Sequence, residues 1–315
     1  MKKVIAVLLA VIIALCTMSA CGNVPQKDDI IKIVTTVFPI FDWTRELTED
    51  VDNVEVTYLL NSGVDMHSYQ PSVDDIISVS TADMLIYVGG ESDKWIDDAL
   101  REAVNKDIVT VNLIDLLGES AKAEETVEGM QYNGEDDGID EHVWLSISNA
   151  EKFVTAVSEN LAAIDPENSV IYSKNATDYL RKLDNLHDKY SNAIDRAEYN
   201  TVVFADRFAF RYLFDDFELD YFAAFAGCSA ETEANFDTII FLANKIDELG
   251  IGSIVQTETA DGSIAKTVRE ATRSKNQKIL TLNSMQSVSH HDLMNGVTYL
   301  SIMEDNLNVI KKALN

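Results

Sequence analysis

The chain is poor in the residues that mark several common protein classes. It has three cysteines in 315 residues, and two of them, Cys16 and Cys21, fall in the first 21 positions. Only Cys228 is left for the body of the protein, so no intramolecular disulfide can hold it and stability has to come from packing. Cationic side chains are also scarce, with 25 Lys+Arg against 53 Asp+Glu and a formal net charge of −28. Such a surface repels nucleic acid and anionic headgroups and draws cations, although by itself it also serves plain solubility. Neither His-Glu-x-x-His nor Gly-x-Ser-x-Gly occurs, and there is no phosphate loop. The usual marks of a hydrolytic metal site, a serine nucleophile or a nucleotide cradle are missing, and catalysis is not expected.

Long apolar runs are confined to the start. Lys2 and Lys3 precede the apolar stretch Val4–Leu15, and small residues lead to Met18-Ser19-Ala20-Cys21. At about a dozen residues the run is short of the ~20 needed for a span, and it reads as a secretory signal over 1–21. Its ending looks like a lipoprotein signal in which Cys21 is lipidated and becomes the new terminus. An ordinary cleaved signal is the alternative. A lipid on Cys21 holds the protein to the outer face of the cell membrane without spanning it, and 22–29 is then a polar tether.

From residue 30 strands and helices alternate. Ile31–Val37, Val54–Leu60, Met84–Val88 and Ile108–Val111 read as strands, with helices at Pro39–Thr48, Ser72–Ser80 and Lys94–Val104. The alternation predicts an α/β fold with a parallel sheet covered on both faces. Residues 118–141 interrupt it with nine acids, one lysine and four glycines, Gly129, Gly134 and Gly138 among them, the composition of a mobile acidic loop. After a helix at Ser148–Ile164, Asp165-Pro166 supplies an N-cap and a first-turn proline for a long helix. In that helix Tyr172, Ala176, Tyr179, Leu183, Leu186 and Tyr190 form one apolar stripe. With α/β patterning on both sides, the helix reads as a strut between two lobes rather than a coiled-coil dimer helix, and a monomer is expected. The rhythm resumes with strands at Thr201–Phe204, Tyr221–Phe225, Ile251–Gln256 and Lys278–Leu282. Helices are expected at Phe208–Asp215, Phe236–Leu249 and Ser263–Thr272, and one closing helix over Asp292–Leu314. The expected organisation is an N-terminal lobe over 30–164, a connecting helix over 165–197 and a C-terminal lobe over 198–315.

Histidine is scarce too, with five in the chain, and two of them stand out. His67 lies in Asp65-Met66-His67-Ser68-Tyr69-Gln70-Pro71-Ser72, and His142 in Asp140-Glu141-His142-Val143-Trp144-Leu145. Each sits in an acid-flanked connecting segment, where an imidazole can meet a ligand. Two such residues far apart in sequence point to a divalent metal site assembled by the fold. His187 is expected to face solvent, His290 and His291 to sit at a helix start, and Cys228 to be a small buried residue. A Cys228 thiolate in a ligand-poor zinc site is the minority alternative.

In this order and spacing, several segments resemble one family. They are Thr35-Thr36-Val37-Phe38-Pro39 with Asp42-Trp43, Gly63 through Ser72, Ala82-Asp83-Met84-Leu85-Ile86-Tyr87, Glu141-His142-Val143-Trp144-Leu145, Asp165-Pro166-Glu167-Asn168, and Gly296 through Leu307. The chain resembles, over nearly its whole mature length, the substrate-binding lipoproteins of zinc- and manganese-type ABC importers, the ZnuA-like cluster A-I group. The resemblance implies capture of a divalent transition metal outside the membrane and delivery to an ABC permease. It also implies four ligands, two from each lobe, and His67 and His142 match the first two. The third falls on Arg207, whose guanidinium cannot ligate, so Asp206 beside it is nominated. The fourth falls on Asn283, a poorer donor, and Glu258 at another strand end is the nearest carboxylate. The acidic 118–141 segment stands where many zinc members carry a histidine-rich loop. Two imidazoles with one or two carboxylates suit zinc, manganese or iron. Arg207 and Asn283 motivate the alternative: a surface adhesion or interaction lipoprotein of the same fold with a degenerate metal site.

Overall fold

The computed structural model describes residues 30–131, 138–229 and 233–315, so Cys21 and the whole signal lie outside the described residues. β1 (Ile31–Thr35), β2 (Val54–Tyr58), β3 (Met84–Tyr87) and β4 (Val109–Asn112) form one sheet in the order β2-β1-β3-β4. β5 (Thr201–Phe208), β6 (Asp220–Ala226), β7 (Ser253–Thr257) and β8 (Lys278–Leu282) form a second in the order β6-β5-β7-β8. All pairings are parallel, and the two sheets repeat one topology. Parallel neighbours require crossover helices, which cover both faces, as the strand-helix rhythm predicts.

The strut has the expected stripe. Helix Ser169–Ile194 buries Tyr172, Ala176, Tyr179, Leu183, Leu186 and Tyr190 and no other residue. Its start differs from expectation: Pro166–Asn168 form a 3-10 turn, and the Asp165 carboxylate does not cap it. That carboxylate instead accepts from Asn168 Nδ2 at 2.8 Å and from the buried Tyr172 hydroxyl at 2.8 Å. The expected single closing helix is two helices, His290–Met294 and Tyr299–Ala313. Gly296, at φ +80, turns the chain out of the first. Thr298 then restarts it, its hydroxyl accepting from Ser301 N. β5 runs to Phe208, past its expected end at Phe204, through a register shift between Phe204 and Arg207, so the next helix begins only at Arg211.

The core is continuous across the molecule. Ile33, Leu85 and Phe153 of the first lobe, Leu183 and Tyr190 of the strut, and Phe204, Val255 and Leu282 of the second lobe belong to one apolar cluster. β5 alternates: Val202 and Phe204 face this cluster, while Val203 and Ala205 face a smaller one under the outer helices. Polar bonds stitch the same seam. Trp144 Nε1 donates to Ser284 O at 2.9 Å, Tyr299 Oη to Trp144 O at 3.0 Å, and Tyr58 Oη to Val288 O at 2.9 Å.

Asp42 is a buried charged member of this seam. It lies in the first lobe's opening helix, Phe38–Leu47, and accepts the Tyr299 N–H at 2.8 Å, at the amino end of the closing helix. Burial raises its carboxyl from 3.8 to about 6, so the folded chain keeps this proton at pH values where the unfolded chain has released it. The stabilisation linked to that proton is full below about pH 4 and is lost as pH rises through about 6. Asp42→Asn should therefore gain on the parent protein as pH rises from about 4 to about 7, by up to about 3 kcal/mol. Urea unfolding at the two pH values measures the gap, and a pH-independent gap would contradict it.

Candidate metal centre

Both histidines are positioned by the same local device. Beyond β2 the chain enters a 3-10 turn, Met66–Ser68, in which Asp65 Oδ1 accepts the His67 N–H at 3.0 Å. Before the turn Val143–Leu145, Asp140 Oδ1 accepts the His142 N–H at 2.9 Å. In each case a short carboxylate two residues upstream satisfies the backbone and fixes the direction of the imidazole.

A second set of groups orients the rings. His142 Nδ1 lies 2.8 Å from Asp140 Oδ1, and His67 Nδ1 lies 3.0 Å from Ser92 Oγ. Ser92 Oγ donates to Glu141 Oε2 at 2.5 Å, while Ser92 N donates to Glu141 Oε1 at 2.9 Å. With its proton committed to the carboxylate, the serine oxygen accepts from His67. The network thus assigns Nδ1–H to both imidazoles. Gly90 makes this possible: its φ is +81, and a Cβ there would stand 2.3 Å from Glu141 Oε1.

Both Nε2 lone pairs then face each other, 3.2 Å apart. Two imidazole lone pairs at that distance repel unless they share a proton or a cation. An ion about 2.0–2.1 Å from each nitrogen would see them at about 100°, near the tetrahedral angle. Hydrogen-bonded orientation of the outer nitrogen by carboxylate or hydroxyl is the usual support of a metal-binding histidine. Burial, with the neighbouring His142, holds the His67 pKa well below the ordinary imidazole value, so it stays a neutral donor. Burial also disfavours the charged form of the fully buried His142, but Asp140, Glu124 and Glu141 outweigh it and its pKa rises.

The second lobe closes over this pair. Gly227, just past β6, has no side chain where a Cβ would lie 3.0 Å from His142 Cε1. Next to it, Cys228 brings Sγ into a group with His67 and His142 whose ligand atoms all lie within 4.8 Å of one another. Glu124, Asp140 and His142 form a second such group. Glu124 Oε1 also accepts the Cys228 N–H at 3.0 Å, tying the acidic segment to the second lobe. His67, Cys228, Asp65, Asp206 and Arg207 line a common cavity of ≈ 560 Å³.

The nominated second-lobe residues are arranged differently from one another. Asp206 lines the cavity, but its Oδ2 accepts from the N–H of Thr257 at 2.9 Å and from the same residue's hydroxyl. Glu258 is half-buried and accepts from Ser284 N and Oγ, both at 2.8 Å, and from Ser287 Oγ at 3.3 Å. Asn283 Oδ1 accepts from Met285 N, and its backbone bonds Asn306. Among the described residues, the fold brings neither Asp206 nor Glu258 into a group of potential ligand atoms with the histidines. Arg207 pairs with Asp65 of the other lobe at 2.9 Å, not with its neighbour Asp206. His187 is half-buried on the Phe217 ring, 5.0 Å between centroids, where solvent was expected. His290 and His291 are exposed at the start of a short helix capped by Ser289.

Glu124 was not singled out from the sequence, and Asp140 was seen only as an acid flanking His142. The repeated Asp-x-His spacing carried a signal for Asp140; nothing local carried one for Glu124.

Three comparisons bear on this arrangement. The model of the family "Zinc-uptake complex component A periplasmic" matches residues 33–313. The chain is 30% identical over 314 residues to the zinc-binding lipoprotein AdcA of Streptococcus pneumoniae, covering 99% of this chain and 61% of that protein. It thus spans about three-fifths of that longer relative. It is 27% identical to the high-affinity zinc uptake system protein ZnuA of Bacillus subtilis, with 96% of each covered. The crystal structure of the Zn(II)-bound ZnuA-like domain of S. pneumoniae AdcA superposes with a TM-score of 0.72 at 27% identity, covering 90% of this chain and 99% of that one.

The orienting network makes a direct prediction. Asp140→Ala should weaken zinc binding by about 10–100-fold while the protein stays folded, measured by competition with a fluorescent chelator. Unchanged affinity would mean that Asp140 does not orient the His142 ring.

Proposed function

The chain belongs to the periplasmic zinc-uptake complex component A family, and on that premise we propose that it captures a divalent transition metal, zinc foremost, and delivers it to an ABC permease. The family is a metal-binding transport component, not an enzyme. The observation that carries the reading is the opposed pair of oriented imidazoles, His67 and His142, 3.2 Å apart at the seam of two lobes. Neutral imidazole favours zinc, whereas manganese and iron, as harder ions, call for more carboxylate oxygen. Asp206, on the cavity wall, is the nominated carboxylate best placed to add one. Glu258 would first have to give up its serine partners.

In this reading the protein works as a monomer outside the membrane. No helix among the described residues is long and apolar enough to cross one, and the proposed tether is a lipid on Cys21. The strut and shared core restrict the movement between lobes, so release follows when the permease disturbs the seam.

Titration calorimetry tests the proposal. The parent protein should bind zinc with Kd below about 10 μM, that is, better than about −7 kcal/mol. His67→Ala and His142→Ala should each lose more than the ~100-fold that removing an outer partner can cost. A protein that binds no zinc, manganese or iron would refute metal capture. The surface-adhesion alternative requires both variants to leave adhesion unchanged.

A further inference from the structure

We propose that Cys228 is a direct ligand of the captured ion, so that the site is an imidazole–thiolate site selective for soft divalent metals and against manganese. The inference rests on the metal-capture reading and adds to it the identity of a donor and the class of cargo.

The geometry that carries it is a three-donor cluster. His67 and His142 present converging nitrogens, and the Cys228 sulfur lies within 4.8 Å of the ligand atoms of both. In a tetrahedral zinc site, nitrogen at about 2.0 Å and sulfur at about 2.3 Å from the ion stand about 3.5 Å apart, a small contraction of this cluster. The sulfur is delivered by fixed elements. β6 ends at Ala226, Ser229 N returns to Ala226 O at 3.3 Å, and Cys228 N is held by Glu124. A ligand on the carboxyl end of a parallel strand, facing the opposite lobe, occupies the usual binding position of such sheets.

Of the second-lobe carboxylates that a harder site would use, Glu258 is held by Ser284 through both oxygens and Asp206 by Thr257 through Oδ2, and neither joins the histidine cluster. Binding breaks the S–H bond and forms a sulfur–metal bond. The proton passes to the neighbouring Glu124 carboxylate and on to solvent, with no change of oxidation state. Thiolate with imidazole suits zinc and its softer neighbours, while manganese prefers oxygen donors.

Cobalt(II) is the probe, added to the reduced full-length chain and to Cys228→Ser. The parent protein should show the near-ultraviolet thiolate-to-cobalt charge-transfer absorption, and Cys228→Ser should lack it while keeping its far-ultraviolet dichroism. Zinc affinity of Cys228→Ser should fall at least about tenfold, and its preference for zinc over manganese should narrow. If the parent binds cobalt and zinc without that absorption, or Cys228→Ser matches it in spectrum and affinity, Cys228 is not a ligand while metal capture stands. If the parent protein binds neither metal, metal capture fails and this inference fails with it.

Discussion

Two imidazole nitrogens with their lone pairs turned toward each other repel, and much of the seam between the lobes serves to hold them there. Asp140 and the Ser92–Glu141 relay fix the outer nitrogens of both rings. Glu141 reaches Ser92 because Gly90 has no Cβ, and His142 approaches the second lobe because Gly227 has none. Orientation by a proton donor on one side of a ring defines what its other side can accept. The chain thus holds, against the buried His142, an arrangement that either a shared proton or a shared cation resolves.

The second lobe answers this pair with a mixed set of groups. Arg207 stands where the family resemblance leads one to expect a ligand, and it reaches across the cavity to Asp65. That ion pair brings the carboxylate two residues before His67 under the control of the opposite lobe, so the same turn that aims the ring is coupled to lobe packing. The acidic segment contributes as well. Glu124 sits against Cys228 and, with Asp140, surrounds His142 with negative charge.

Much of the fold was legible because hydrophobic period is a local property. The strand-helix alternation announced two parallel sheets, and the stripe from Tyr172 to Tyr190 announced a helix buried along one side. Breaks in regular structure were harder to read. The Gly296 turn and the Thr298 cap divide a helix whose apolar pattern runs on, and β5 outlasts its apolar run through a register shift. At the site, the Asp-x-His turns made His67 and His142 visible. Their partners depend on how separate segments pack, which no spacing records. Glu258 at a strand end looked as available as any carboxylate, yet Ser284 and Ser287 occupy it. Cys228 looked like core, yet the β6 turn brings its sulfur to the imidazoles.

The shared core has a consequence beyond the site. The two sheets are separate, but the apolar cluster that supports them passes through the strut from one to the other. Neither half can expose its inner face without exposing that of its neighbour, and cooperativity follows contiguous apolar burial rather than sheet count. A chain that is bipartite in architecture therefore shares one cooperative core, and His67 and His142 lie at the boundary between its halves.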